Sequence, residues 1–247
     1  MIKRHNIVSL LFGLMFAFIL YKSTYPIPVF RFFVPIFSLF LMATSYYNYL
    51  YLKNLQKNNI WPVIRMALLL SAGFLIYFVL LDSFTRFVFL LVSVIIITCF
   101  EALIDKFAEN ILFNEIIIVS FGLFFGFCGL VWNFPTFTYA FLIGLFVSLL
   151  LLTRGFFEFA PIPVFAKWLN ALILAFLNVQ IYWACQFLPF HYSALSVIVF
   201  NIYYSSVILD YYFLFNHLTD KKVKFHLALS AICVGVVLLA TPWRMQM

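Results

Sequence analysis

Charge is what this sequence has least of. Only 9% of its 247 residues are Asp, Glu, Lys or Arg, while 66% are hydrophobic; a soluble globular domain carries roughly 25% charge. Its mean hydropathy is +1.12. There is too little polar surface here to cover a body standing in water. The length suits one compact domain, with lipid as the solvent around most of it.

Catalytic signatures are missing as well. There is no HExxH run, no nucleophile elbow and no Ser-His-Asp order, and the glycines do not have phosphate-loop spacing. The four histidines, His5, His191, His217 and His226, fall near the ends of apolar runs, and no metal site is expected from them. The four cysteines, Cys99, Cys128, Cys185 and Cys233, sit inside apolar runs with neither CxxC nor metal-ligand spacing, so they read as small buried hydrophobes. No cofactor is implied. Long polar loops are lacking too, which leaves no room for a catalytic module in the water.

The net charge of +7 raises nucleic acid as a partner, since basic chains attract phosphate. The distribution excludes it. Lys and Arg are scattered in ones, twos and threes at the ends of apolar runs, the tightest group being Lys221, Lys222 and Lys224. No basic stripe remains to follow a backbone.

What the sequence does have is apolar runs long enough to cross a bilayer, which takes about 20 residues in a helix. They fall near 6–21, 28–50, 62–81, 85–104, 112–132, 136–153, 166–187, 192–215 and 224–241. Backbone groups in lipid must be paired internally, and these runs lack the alternation of a barrel strand. The expectation is all-α: a single integral membrane domain over 1–247, a polytopic transmembrane helix bundle of about nine spans, within a range of eight to ten. The third and fourth runs are parted only by Asp82, Ser83 and Phe84, giving a tight hairpin or one long broken helix. The first run has a basic start at Lys3, Arg4 and His5 but no small-residue cleavage site after it, and reads as an uncleaved span rather than a signal peptide.

With the N-terminus in the cytoplasm, eleven Lys and Arg fall at cytoplasmic ends and four (Lys22, Arg31, Arg86 and Arg244) at outer ends. That is the bias the positive-inside rule requires. Nine spans then put the C-terminus outside.

Acids are informative in such a chain, because an ionised group at bilayer depth costs at least a few kcal/mol without a partner. Four of the eight acids lie between Glu101 and Glu115. Glu101, Asp105 and Glu109 are spaced four apart and would share one helix face. One reading is a cation or proton site near the cytoplasmic mouth of span four, closed by Glu115. The other ends the helix near Asp105 and leaves Asp105 and Glu109 in water. Glu101 sits about a turn inside the apolar run. A second candidate set is intramembrane and largely uncharged: Asn178 and Gln180 in span seven, and Asn201, Tyr204 and Ser205 in span eight, with Asp210 toward its cytoplasmic end, where Lys167 or Arg154 would be in reach. Such groups bond helix to helix or line a polar cavity. Gly122, Gly126 and Gly129 in span five have the spacing of a close-packing face.

The segment Ile181-Tyr-Trp-Ala-Cys-Gln-Phe-Leu-Pro-Phe190, with Tyr203-Tyr204 and the acid at Glu115, resembles an uncharacterised polytopic family of bacteria from candidate phyla with small genomes. The resemblance covers the C-terminal half, where a late helix of that family ends in a similar Phe-Leu-Pro turn. It departs at Asn178 and Gln180, where the family carries a polar or acidic residue earlier in that helix. The resemblance implies a bacterial inner-membrane protein and transfers no active-site residue. Three functions are then in play. The first is a small-molecule or ion transporter or permease-like subunit; the second is a non-catalytic scaffold or assembly factor; the third is an intramembrane enzyme on a lipid-linked substrate. Membrane lipids are the expected partners, with a further membrane protein in the scaffold case.

Overall fold

The computed structural model describes residues 2–22, 30–55, 59–80, 82–104, 109–215 and 218–241, with backbone alone at 2–4, 30–34 and 109–112. Among these there are nine α-helices and no strand: α1 (Ile2–Lys22), α2 (Phe30–Asn54), α3 (Trp61–Val79), α4 (Ser83–Ala102), α5 (Glu109–Asn133), α6 (Thr138–Phe156), α7 (Val164–Cys185), α8 (Tyr192–Leu214) and α9 (Asp220–Ala240). Eight of them, all but the 25-residue α2, are long and apolar enough to cross a membrane. The chain is an integral, multi-pass helical membrane protein.

Proline and capping side chains set the boundaries. Pro62 stands in the first turn of α3, where its missing N–H costs nothing. Pro135 opens a short 3-10 turn before α6, and Pro163 directly precedes α7. Between α3 and α4 the hairpin reading holds over the broken-helix one. Asp82 is extended, and its carboxylate accepts from the Thr85 backbone N–H at 2.7 Å, so a new helix starts there. Thr219 caps α9 in the same way, accepting from the Lys222 N–H.

The helices fall into two compact units, Met1–Glu115 and Ile116–Met247, so that α5 contributes its first turns to one and the rest to the other. In the first unit α1 lies along α4, with α2 on α3 and α3 on α4. Gly13 makes the α1–α4 contact close: a Cβ there would stand 2.7 Å from Thr98 Oγ1 and 3.1 Å from the Val94 carbonyl. In the second unit α6 packs on α7, α7 on α8 and α8 on α9. The α7 face toward the interior begins with the fully buried Ala171 and Ala175, small residues that let backbones approach. Gly122, Gly126 and Gly129 are all buried, and a Cβ on Gly144 of α6 would meet the Phe127 ring of α5 at 3.2 Å.

Arg154, Phe156, Phe157 and Ala160 are buried as the chain turns through a 3-10 helix at Phe157–Phe159.

Candidate functional site

In the first unit, helix phase delivers three polar side chains to one place. The buried residues of α4 are Leu90, Ser93, Ile97 and Glu101, a three-and-four spacing that draws one stripe along the helix. Glu101 is the last member of that stripe and is therefore turned inward, 1% exposed. On α1 the buried stripe of Leu20, Phe16, Gly13 and Ser9 ends at His5, and on α2 the stripe of Phe37, Phe40 and Thr44 ends at Asn48 and Tyr51. Apolar along most of their length, the three stripes become polar where His5, Asn48 and Glu101 meet.

The His5 Nε2 lies 2.9 Å from the backbone carbonyl of Glu101 and donates to it, alongside the Ile104 N–H, which reaches the same oxygen at 3.2 Å. The imidazole is stacked on Tyr51, with ring centroids 3.8 Å apart, and lies nearly parallel to Tyr47 at 6.1 Å. Asn48, wholly buried, is the side chain that interacts with the Glu101 carboxyl. Yet Glu101 Oε1 and both amide atoms of Asn48 lack a partner at hydrogen-bonding geometry. No Lys or Arg is paired with Glu101 among the described residues. Its place at the C-terminal end of α4, where the helix dipole is negative, offers no compensation either.

Of the four acids grouped by sequence, the side chains of two, Glu101 and Glu115, are among the described residues. Glu115 lies 2.9 Å from Arg65 of α3 in a buried ion pair, so it is balanced by a cation. Asp105 and the side chain of Glu109 lie outside the described residues. Glu101 stands with His5 and Asn48, neither of which the sequence reading had placed beside it. The signal that finds them is the phase of the apolar stripes on α1 and α2, continued one turn into polar residues.

In the second unit the uncharged set is also dispersed. Asn178 is 1% exposed, and its Nδ2 donates to the Leu174 carbonyl at 2.8 Å and to Ser206 Oγ at 3.3 Å. Gln180 is exposed on the other face of α7. Asn201 donates back to the Val197 carbonyl of its own helix at 3.1 Å. Ser205 is buried, while Tyr204 is half-buried with its ring near Phe200. The buried cross-helix bond of this region joins Thr153 Oγ1 of α6 to Tyr203 OH of α8 at 2.8 Å. Asp210 is half-buried, and its Oδ2 has no partner. Neither basic residue expected within its reach is committed to it. Arg154 pairs with Glu158 at 2.7 Å and covers the Trp168 ring, and Lys167 donates to the Glu158 carbonyl.

No protein family, curated protein or solved structure matches the chain. Among the described residues no three His, Cys, Asp or Glu side chains come together to hold a metal.

Proposed function

We propose that the protein is a small-molecule or ion transporter, or a permease-like subunit, of a bacterial inner membrane, and that Glu101 is the group that takes up and releases its coupling proton. In this reading all nine helices cross, α2 included, with the N-terminus cytoplasmic and the C-terminus outside, which puts Glu101 just inside the cytoplasmic boundary of α4.

One observation carries the proposal. Glu101 is a fully buried acid with no Lys or Arg paired to it among the described residues, and one of its oxygens lacks a hydrogen bond, its side-chain neighbour being the uncharged Asn48 carboxamide. Buried charges are held only when paired, and Arg65 shows how this fold pairs one. Glu101 is left with a proton to hold, in a shell that binds either form: Asn48 has a carbonyl for the acid and an N–H for the carboxylate. A purely structural acid gains nothing from such surroundings.

The test is charge movement on a solid-supported membrane. A pH jump on one side of reconstituted protein should give a transient current, lost in Glu101→Gln and kept in Glu158→Gln. Dicyclohexylcarbodiimide, which attacks protonated carboxyls in apolar surroundings, should label Glu101 at low pH and progressively less as pH rises. A silent membrane and an unreactive Glu101 at every pH would instead mean a sealed packing residue in a scaffold.

A further inference from the structure

On the face of α7 turned away from the interior, Leu169, Ile173, Phe176, Gln180 and Trp183 follow at intervals of four, three, four and three. All of them are exposed. An apolar repeat of this kind is the seam along which two helices interlock, and most membrane helix pairs cross with that geometry. Gln180 is the odd member. It lies about 8 Å inside the end of the Val164–Cys185 span, at 1.5 Å per residue. Trp183 stands one turn nearer that end, where an indole ring meets the headgroups. We propose that this face of α7 is the interface between two copies of the chain, closed by a Gln180–Gln180 amide pair. The surface belongs to the second unit and uses none of the residues around Glu101, so it stands or falls independently of the proton reading.

The carboxamide is what needs covering. Polar side chains elsewhere in the unit are satisfied from within. Asn178 bonds to the Leu174 carbonyl and to Ser206, Asn201 to the Val197 carbonyl, Ser148 to the Gly144 carbonyl, and Thr153 to Tyr203. The Gln180 side chain makes no such bond among the described residues, and acyl chains offer it neither donor nor acceptor. Asn6, Asn114 and Asn133, the other exposed carboxamides on described spans, stand at or next to a span's end, within reach of water. α9 gives the contrast. From Leu227 to Ala240 its exposed positions are all apolar, and lipid covers such a surface unaided.

Symmetry selects the occupant. Copies of one chain enter a membrane in one orientation, so two α7 helices meet in parallel about a two-fold axis. Each seam residue then faces its own counterpart, and Gln180 faces Gln180. A carboxamide carries donors on its nitrogen and an acceptor on its oxygen, so two of them can exchange hydrogen bonds. A different protein would need an amide of its own at that depth and phase. A second copy brings one by construction. A single polar residue in an apolar seam also fixes the register: slid by one heptad, the amide would face Ile173 instead.

The test counts copies. The full chain, with one fluorophore per copy, is diluted into liposomes over a series of protein-to-lipid ratios, and photobleaching steps are counted. Two steps are expected at ratios where chance co-occupancy gives one. Gln180→Leu faces lipid and disturbs no interior contact. It should raise the density needed for pairing by about tenfold, the scale of polar contacts between membrane helices. Gln180→Asn keeps the amide and should recover part of that loss. In a chain whose native cysteines are replaced by alanine, Ile173→Cys should link copies on oxidation. Ile143→Cys, on the exposed face of α6, should not. Single bleaching steps at every density would overturn the proposal. So would pairing indifferent to Gln180→Leu, or Ile143→Cys linking as readily as Ile173→Cys, since the contact would then lie elsewhere. Nanodiscs cut from native membrane that hold one copy, with a different protein cross-linked to α7, would overturn the second copy in favour of that protein.

Discussion

Arg65 Nη1 and Glu115 Oε2 meet at 2.9 Å with each side chain only 8% exposed, fastening α3 to the first turns of α5. Both charges have left water, and each depends on the other for compensation. Removing one partner of such a pair costs about 3–5 kcal/mol, because the survivor is left buried and bare, whereas replacing both with apolar residues is often neutral. Arg65→Met and Glu115→Leu should each lower unfolding stability in detergent by that order. The double variant should recover most of it. Single and double variants that behave alike would show the two charges to be solvated separately.

Gly13 and Gly235 make opposite predictions from the same substitution. A Cβ on Gly13 meets Thr98 Oγ1 at 2.7 Å and a backbone oxygen at 3.1 Å, while one on Gly235 meets nothing within 4 Å. Crowding a packed contact costs about 1–3 kcal/mol, and a helical glycine gains at most about 1 kcal/mol on becoming alanine. Gly13→Ala should therefore destabilise, with Gly13→Leu worse, and Gly235→Ala should be neutral or stabilising. Thermal unfolding of the three variants decides it.

The Thr153–Tyr203 bond joins residues 50 apart in sequence inside the second unit. Polar contacts between membrane helices are worth about 0.6 kcal/mol on average and up to about 1.7. Tyr203→Phe should cost about 1 kcal/mol. In a double-mutant cycle with Thr153→Val the coupling should be favourable and of that size. A coupling of zero would reduce the pair to coincidental proximity.

Acid should act on the α3–α4 turn. The Thr85 backbone N–H, followed by the Thr85 hydroxyl, holds the Asp82 carboxyl below the usual carboxylate range. With the folded value depressed, the stabilisation is complete above the unfolded value of about 3.9. It is lost as pH falls below that and passes through the lower folded value. Asp82→Asn keeps a capping oxygen and should remove this part of the acid sensitivity, while Asp82→Ala should lose the cap at every pH. Thermal midpoints measured from neutral pH down through the carboxylate range separate the three.

How far the sequence could be read depends on what each feature needs. The spans required only hydropathy and length, local properties that survive any arrangement of helices. Asp82 was legible as a break for the same reason, since a capping acid acts within one turn of itself. Glu101 could be singled out because lipid makes any buried acid conspicuous. Its neighbours are harder to read: Asn48 and His5 come from helices far away in the chain, and only the phase of the buried stripes on α2 and α1 turns them toward Glu101. Gln180 and Asn178 make the point within a single helix. Two residues apart and alike in chemistry, one is exposed and the other interior. Only a complete view of the α7 stripe, through Ala171, Ala175 and Tyr182, separates them. Glu115 was read beside the acids near it in sequence, because spacing along a chain records faces of one helix and is blind to Arg65 on another.

The last described helix has a different bearing on the molecule. α9 is 21 residues long and has no buried residue; its Val234, Val237 and Leu238 pack against Ala194 and Ile198 of α8 and against Phe190 in the turn before it. At about 1.5 Å per residue it is about as long as the hydrocarbon layer is thick. Its lipid-facing positions answer to oiliness, not to shape, so leucine, isoleucine and valine are interchangeable along most of its surface. Over evolutionary time such a helix can be rewritten almost letter by letter while the protein stays the same, whereas the interior face of α7 has no such liberty.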